Sequence, residues 1–221
     1  MIPVVALVVA KAPVPGLAKT RLAAAIGSRT AAEIAAAALL DTLDAVVAAP
    51  VEARVVAMTG DLDAACASDE IRTRLEAFTV VPQRGDDFAD RLANAHTDAA
   101  EVTGIRAVLQ IGMDTPQVSA EMLTECAREL PDAGAVLGLA DDGGWWILGV
   151  SDAAMADCLR MVPMSQPDTG ALTLAALCAR KIDVRRVAEL ADVDTLEDVD
   201  AVRRLCAADS RFVRATAAVR V

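Results

Sequence analysis

Strand-like and helix-like segments alternate along most of this 221-residue chain, and no other feature restricts its fold as strongly. The first segment, residues 2–10, is a continuous apolar run rich in β-branched residues, which is typical of a strand buried on both faces. Strands are predicted at residues 2–10, 53–58, 78–81, 106–111, 133–139, 145–150 and 184–187, and helices at 31–49, 62–76, 86–102, 119–130, 153–160, 168–180 and 195–207. This alternation predicts an α/β fold with helices flanking both faces of a mostly parallel sheet.

One pair of predicted strands, 133–139 and 145–150, has no helix between its members. The connecting residues 141–144 read Asp-Asp-Gly-Gly, which is typical of a hairpin turn. The sheet is therefore predicted to be mixed rather than purely parallel. No linker, repeat or low-complexity segment interrupts the chain, so residues 1–221 are expected to form one domain.

The charge distribution favours a small anionic ligand over a nucleic acid. The net charge is −11, and a nucleic acid would be repelled by that field. Aromatic residues make up only 2% of the chain, so few side chains could stack on bases. Residues 1–32 nevertheless contain four basic side chains and no acidic one, which suits a small anion. Those side chains are Lys11, Lys19, Arg21 and Arg29.

The chain also has the features expected of a soluble, cytoplasmic protein. The apolar run of residues 2–10 is too short to cross a membrane and lacks a preceding basic region, so no membrane span is expected. The five cysteines are scattered singly without a C-x-x-C pair, which predicts reduced, buried thiols. The sequence does not determine the oligomeric state.

A basic loop follows the first predicted strand. Residues 11–16 are stiffened by Pro13 and end at Gly16, and a helix start carrying Lys19 and Arg21 comes next. The glycine pattern of a P-loop is missing, because an alanine stands where that motif needs glycine. Backbone N–H groups at a helix start, with cations beside them, can bind phosphate. The alternative is a basic helix end that is exposed to solvent.

Carboxylates at two places are candidate ligands for a divalent cation. Asp114 follows the fourth predicted strand, where a carboxylate can hold Mg²⁺ or Mn²⁺ together with substrate phosphates. It could instead begin the next helix, although Thr115 or Ser119 can cap that helix without it. Asp192 and Asp194 alternate in an extended segment, so both can point the same way. They could equally be acids that precede a helix start.

Three further features are less specific. Asp142 and Gly143 lie in the predicted hairpin turn, and ordinary turn chemistry explains them as well as a binding site does. Trp145 and Trp146 must face opposite ways in a strand, so one can pack in the core while the other lines a cleft. His96 is the only histidine and lies in a predicted amphipathic helix, which favours a structural or surface role. A histidine-based zinc site is therefore excluded.

Five stretches, in their order and spacing, resemble a family of bacterial glycosyltransferase-like or nucleotide-diphospho-sugar-transferase-like proteins, the DUF2064 type. They are residues 11–22, 83–92, 114–116, 142–145 and 192–195, and the likeness spans nearly the whole chain. The chain departs from the family pattern at Ala89, where glycine is common, and at Trp145, where tyrosine is usual. Residues 164–170 are similar to an acceptor-side loop, with Met164 in place of tryptophan. A looser likeness links the chain to guanylyltransferases that act on small phosphorylated acids.

The resemblance implies a glycosyltransferase-A-like fold and a metal-dependent transferase that uses a nucleoside triphosphate or a nucleotide-sugar. Nucleotidyl transfer to a small phosphorylated acceptor is the leading prediction, and the alternatives are a glycosyltransferase and a non-catalytic nucleotide-binding protein. The implied nucleotide-binding residues are Lys11, Pro13, Gly16, Lys19, Thr20, Arg21, Arg84, Gly85 and Arg91, of which Lys19 is implied to be catalytic together with Asp142. The implied acceptor-binding residues are Asp142, Gly143, Ser165 and Thr169, and the implied ligands of Mg²⁺ or Mn²⁺ are Asp114, Asp192 and Asp194.

Overall fold

Seven strands form one sheet in the computed structural model, which describes residues 1–193 and 195–219. The strands are β1 (Ile2–Lys11), β2 (Val51–Thr59), β3 (Thr79–Pro82), β4 (Val108–Ile111), β5 (Ala135–Leu139), β6 (Trp145–Val150) and β7 (Val184–Arg186). Their order across the sheet is β3-β2-β1-β4-β6-β5-β7. Strand β6 is antiparallel to both of its neighbours, and every other adjacent pair is parallel. The predicted α/β fold with a mostly parallel, mixed sheet is confirmed.

Helices cover both faces of this sheet. They are α1 (Thr20–Ile26), α2 (Ser28–Ala48), α3 (Ser68–Leu75), α4 (Phe88–Thr103), α5 (Ala120–Glu129), α6 (Thr169–Ala179), α7 (Leu196–Leu205) and α8 (Arg211–Thr216), with a 3-10 helix at Ala153–Met161. Helix α8 was not predicted, and α1 was predicted only as a helix start that carries Lys19 and Arg21. The helix predicted over residues 62–76 begins only at Ser68, and residues 153–160 form a 3-10 helix rather than an α-helix.

Strand β1 is buried on both faces, as its continuous apolar sequence predicts. Val4 and Val8 pack into an apolar layer formed with α2, α3 and α5. Val5 and Leu7, on the opposite face, pack against α4, the 3-10 helix and α6. Because successive side chains of a strand point to opposite faces, an unbroken apolar run is what a strand between two helical layers requires.

A third apolar cluster lies at the side of the sheet and holds the C-terminal helices in place. It joins Leu22 of α1 and Ile34 of α2 to Val193, to Val199 of α7 and to Phe212 of α8. All five of these side chains are at most 1% exposed. The cluster therefore fixes the segment that contains Asp192 close to the start of α1.

The hairpin of β5 and β6 is confirmed, and β6 is inserted between β4 and β5. Since β6 runs antiparallel to β4, its first residues lie beside the carboxyl end of β4, with Ile147 opposite Ile111. The hairpin turn is thereby brought to the edge of the sheet where β1 and β4 end.

No helix among residues 1–193 and 195–219 combines the length and the apolar character that a membrane crossing needs. All five cysteines are free, as predicted, but only Cys126 and Cys158 are buried; Cys66 and Cys206 are partly buried and Cys178 is exposed.

Candidate functional site

A cleft of about 640 Å³ opens at the carboxyl ends of β1 and β4. This is the edge at which open α/β sheets bind ligands. Most of the residues predicted for the site line it: Lys11, Thr20, Arg21, Arg91, Asp114, Asp142, Ser165, Thr169 and Asp192. Residues as far apart in the sequence as Lys11 and Asp192 therefore converge on one concavity, as their places at strand ends lead one to expect.

Lys19 does not itself line the cleft but forms an ion pair with Asp114, which does. The Nζ atom of Lys19 lies 2.7 Å from Oδ2 of Asp114, and the lysine side chain is only 11% exposed. Lys19 adopts the left-handed backbone conformation, with φ 47°, at the residue that precedes α1. A non-glycine residue in this region is strained, and such strain is concentrated at functional sites. The helix after Asp114 is capped by Ser119, whose Oγ accepts the N–H of Met122, so Asp114 is not needed as a cap.

The loop between β1 and α1 is closed by its own hydrogen bonds. Lys11 donates from Nζ to the carbonyl of Leu17 at 2.8 Å, while its backbone N–H points at the Met113 sulfur. The carbonyl of Pro13, which is buried, accepts the N–H of Cys66 at 3.0 Å. Gly16 has φ +81°, which glycine adopts without strain. Pro13 and Gly16 shape this loop but do not line the cleft.

Arg84 and Gly85 also lie outside the cleft lining. The guanidinium of Arg84 binds both carboxylate oxygens of Asp98, with Nε–O distances of 2.9 and 3.0 Å. Gly85 lies against the first turn of α4, where an added Cβ would come within 2.7 Å of the Asp90 Cβ. Arg91, one turn further along α4, does line the cleft. The structure thus gives Arg84 and Gly85 local structural contacts rather than a place at the cleft.

The hairpin turn is packed against the loop that precedes α6. Gly143, with φ +89°, approaches Pro167 so closely that an added Cβ would overlap the Pro167 carbonyl oxygen at 1.8 Å. Packing alone therefore requires glycine at this position. The neighbouring Asp142 lines the cleft and accepts the N–H of Gly144 at 2.7 Å through Oδ1, leaving its second oxygen outside that bond.

The loop before α6 carries the other two predicted acceptor residues. Thr169 donates its hydroxyl to the carbonyl of Pro163 at 2.9 Å and accepts the N–H of Gln166 at 3.0 Å, so the hydroxyl is used within the loop. Ser165 has φ +57°, a second non-glycine residue of the cleft in the left-handed conformation. Ser165 is thus both the strained residue of this loop and the one whose hydroxyl is available to the cleft.

Three carboxylates influence one another in the cleft. Burial and, to a smaller extent, the charges of Asp114 and Asp142 together raise the pKa of Asp192 to about 6, although Lys19 opposes them. Asp194, the third predicted metal ligand, lies outside the described residues. Within the part of the chain that the structure describes, no three acidic, histidine or cysteine side chains are grouped closely enough to hold a metal ion by themselves.

The donor set nevertheless fits Mg²⁺ or Mn²⁺. Mg²⁺ is usually held by one or two carboxylates together with substrate phosphates, rather than by a complete protein cage. Asp114 and Asp192 supply such oxygens at the cleft, and their mutual repulsion would be relieved by a cation between them. The capping box of Thr195 and Asp198 completes the start of α7, so Asp192 has no capping duty.

Replacing Asp192 by asparagine is expected to stabilise the ligand-free protein. Because its folded-state pKa of about 6 lies above the ordinary 3.8, the ionised carboxylate destabilises the fold at neutral pH. We expect a gain of about 1–2 kcal/mol at pH 7–8, after allowance for solvent screening. The gain should shrink as the pH falls through about 6 towards 3.8. Urea unfolding with EDTA present measures it, with the exposed Asp132→Asn as control; a pH-independent difference would contradict the assignment.

Several residues of the cleft were not predicted. Gln83 has its amide fixed by donating to the carbonyls of Ala10 and Ala57, at 2.8 and 2.9 Å. Gln110 is 2% exposed and lines the cleft from within β4, where a lone glutamine in an apolar strand is a signal that could have identified it. Trp145 and Trp146 face opposite apolar layers, as expected, but both reach the cleft lining.

The sole histidine is buried beneath this cleft. His96 is 0% exposed on the inner face of α4, and neither ring nitrogen has a hydrogen-bond partner among the described residues. Burial lowers the pKa of His96 to about 3, and the nearby Gln110 side chain opposes that shift only in part. The imidazole is therefore neutral at physiological pH, in agreement with a structural role rather than a surface one.

The fold is shared with several solved structures. The chain is similar to a protein of Desulfovibrio desulfuricans G20, provisionally named a nucleotide-diphospho-sugar transferase, with a TM-score of 0.86, 23% identity and coverage of 99% of this chain and 97% of that one. It is similar to a cytidylyltransferase of Leptospira borgpetersenii serovar Hardjo-bovis, with a TM-score of 0.60, 13% identity and coverage of 98% and 93%. It is also similar to the manganese complex of Rv0371c from Mycobacterium tuberculosis H37Rv, with a TM-score of 0.55, 19% identity and coverage of 90% and 97%.

Sequence comparison assigns the family. No curated protein matches the chain in sequence. The profile of the family described as "Uncharacterized protein conserved in bacteria (DUF2064)" matches residues 42–166. That segment contains β2, β3, β4 and the hairpin, and it is more than half of the 221 residues. With its glycosyltransferase-A-like sheet and the cleft at the sheet's carboxyl edge, the chain belongs to the DUF2064 family.

Proposed function

We propose that this protein is a transferase that uses a nucleoside triphosphate or a nucleotide-sugar, with nucleotidyl transfer to a small phosphorylated acceptor as the preferred reaction. The observation that carries the proposal is the ion pair that Lys19 forms with Asp114, a residue that lines the cleft. It joins the basic loop after β1 to the carboxylate after β4 at the ligand-binding edge of the sheet. The similarity in fold to a cytidylyltransferase supports the same reaction class.

The donor phosphates are proposed to lie along the basic side of the cleft. Lys11, Lys19 and Arg21 supply positive charge there, with the Thr20 hydroxyl beside them. Arg91 lines the same cleft from α4 and would contact the donor on the side where the acceptor phosphate enters. Phosphoryl transfer needs mainly positioning and neutralisation of charge, so no protein nucleophile is required. Pro13, Gly16 and Gly85 are proposed to act indirectly by shaping the loops, and Arg84 through its bond to Asp98.

A divalent cation is proposed to complete the site. Asp114 and Asp192 would hold Mg²⁺ or Mn²⁺, with Asp194 as a further candidate two residues along the chain. When bound, the ion would offset negative charge on the donor phosphates. The similar fold of Rv0371c in a manganese complex supports this choice of metal.

The acceptor is proposed to enter from the side of the hairpin turn, where Asp142 and Ser165 line the cleft. In nucleotidyl transfer, an oxygen of the acceptor phosphate attacks the α-phosphorus and forms a new P–O bond. The P–O bond that links the α- and β-phosphates breaks, and pyrophosphate leaves with the bonding electron pair. In the alternative glycosyl transfer, the leaving group would be a nucleoside diphosphate. No nucleic-acid partner is expected, given the net charge of −11.

The released product distinguishes these reactions. The protein is incubated with each nucleoside triphosphate or nucleotide-sugar, Mn²⁺ and a panel of phosphorylated acceptors. Release of pyrophosphate supports nucleotidyl transfer, and release of a nucleoside diphosphate from a nucleotide-sugar supports glycosyl transfer. Saturable nucleotide binding by calorimetry without either product, over the whole panel, would favour a non-catalytic binding protein.

Lys19→Ala is expected to weaken nucleotide binding by about 1.5–3 kcal/mol, the range for a hydrogen bond to a charged group. Calorimetry measures the change. Lys181→Ala is a matched control, because Lys181 also adopts a left-handed conformation, with φ 60°, but lies away from the cleft. Any effect of replacing a lysine in a strained backbone is thereby subtracted. Equal affinities for the two variants would remove Lys19 from the phosphate site.

A further inference from the structure

A second cavity, of about 440 Å³, opens beside the cleft and continues it. Phe88, Met164 and Ser165 line both of them. Six of the nine described residues that line the second cavity are apolar, and two of these are well exposed, Phe88 at 47% and Met161 at 83%. Small-molecule sites are usually concave and lined mainly by apolar side chains, with a few polar groups that fix the orientation of the ligand.

The charged side chains of the second cavity already have partners. Asp87 accepts the N–H of Asp90 at 2.8 Å and so caps α4. Arg160 donates to carboxylate oxygens of Asp157 and Asp90 and to the side-chain oxygen of Asn94, each at 2.7 Å. Because these charges are satisfied within the protein, what the cavity offers to a ligand is mainly apolar surface.

The positively charged side chain of Arg91 lies where the two cavities meet. Arg91 lies three residues after Phe88 on α4, so the two side chains are neighbours on one face of the helix. Arg91 lines the cleft, and among the described residues its guanidinium forms no ion pair, only a long 3.4 Å contact from Nε to the Gly85 carbonyl. Ser165, strained at φ +57°, borders the same junction.

We propose that the second cavity binds the apolar organic group of the acceptor, whose phosphate lies in the cleft beside Arg91. The inference rests on the proposed function and narrows its acceptor to a small, water-soluble phosphate ester with an alkyl or aryl group. The phosphate of this ester supplies the attacking oxygen, and its organic group keeps all of its bonds. The net charge of −11 opposes approach to an anionic membrane surface, so the ester is taken from solution.

The test measures the affinity of the full-length protein for ethyl, butyl, hexyl and octyl phosphate by calorimetry. Each methylene that enters the second cavity should strengthen binding about three- to fourfold, until the cavity is filled. Equal affinity across the series would overturn the inference. Binding of only dodecyl phosphate held in phosphatidylcholine vesicles would overturn the assignment to a water-soluble ester.

Met161→Gln separates the second cavity from the cleft, because Met161 lines only the second cavity and its exposure makes the change compatible with folding. We expect it to weaken hexyl phosphate about threefold or more and to change ethyl phosphate by less than about 1.5-fold. Leu205→Gln, an exposed apolar position on α7, should change neither. Equal losses for both esters in Met161→Gln would contradict an apolar subsite.

Nucleotide binding, measured in parallel with the four nucleoside triphosphates and Mn²⁺, separates this inference from the proposed function. Nucleotide binding together with a flat alkyl series overturns the inference alone. A chain-length dependence in a protein that binds no nucleotide overturns the assignment of the ester as an acceptor. Tighter binding of hexyl phosphate in the presence of nucleotide supports both.

Discussion

Asp114→Asn is expected to weaken nucleotide binding in the presence of Mn²⁺ by about 100-fold or more. Even outer-shell groups of metal sites contribute 10- to 100-fold to metal affinity, and Asp114 is proposed as a direct ligand. The same substitution removes the partner of Lys19, whose Nζ lies 2.7 Å from Oδ2, and also relieves the repulsion with Asp192. These effects on the ligand-free protein oppose each other, so its free energy of unfolding should change by only about 1 kcal/mol or less.

Calorimetry of Mn²⁺ and nucleotide, together with urea unfolding in EDTA, distinguishes the two effects of Asp114→Asn. The matched control is Asp141→Asn, which removes the same charge from an exposed position outside the cleft lining. A loss of binding without a loss of stability is the signature of a ligand. Nucleotide binding by the unaltered protein that is indifferent to EDTA would defeat the metal proposal.

His96→Leu is expected to make the protein resistant to mild acid. Burial lowers the pKa of His96 from 6.5 to about 3. Below pH 6.5 the unfolded chain therefore binds a proton at His96, whereas the folded protein does not bind it until the pH approaches 3. The stabilising effect of a neutral His96 is complete above pH 6.5 and is lost as the pH falls towards 3. The loss amounts to about 4–5 kcal/mol over that interval. Leucine does not titrate, so His96→Leu should abolish this loss of stability.

Urea unfolding at pH 7, 6, 5 and 4 measures this effect. Both proteins lose stability from their carboxylates, so the difference between the two curves isolates the histidine. Packing of the new side chain shifts the His96→Leu curve by a constant amount and leaves the difference in slope intact. Parallel curves for the two proteins would show that His96 takes up its proton at the same pH in the folded protein as in the unfolded chain, and would contradict the lowered pKa.

Much of the fold could be predicted from sequence because its signals are local. An unbroken apolar run such as residues 2–10 predicts a strand between two helical layers, and the Asp-Gly-Gly turn predicts the hairpin. Helix α8 has only one short local signal, the N-cap Ser210, whose Oγ accepts the N–H of Val213 at 3.1 Å. Its first N–H groups, those of Arg211 and Phe212, are accepted by the carboxylate of Asp41, 170 residues away in sequence, at 3.0 and 2.8 Å. A cap supplied by a distant helix cannot be recognised in the local sequence.

The residues of the candidate site could likewise be predicted only in part. The positions of Lys19 and Asp114 follow from the rule that carboxyl ends of parallel strands share one edge, and the structure places them in contact. The family resemblance implied that Arg84 binds the nucleotide. Its guanidinium is bound by Asp98 of α4, and only the tertiary structure could reveal that partner.

The apolar cluster at the side of the sheet determines which parts of the protein unfold together. Leu22 lies one turn after Lys19, Val193 directly follows Asp192, and both are buried against Phe212 near the C terminus. Both sides of the cleft are thus anchored in one cooperative unit, and fraying of α8 would loosen them together. Amide hydrogen exchange should therefore slow in α1, α7 and α8 in concert when a nucleotide binds, including at α8 amides that no ligand in the cleft can touch.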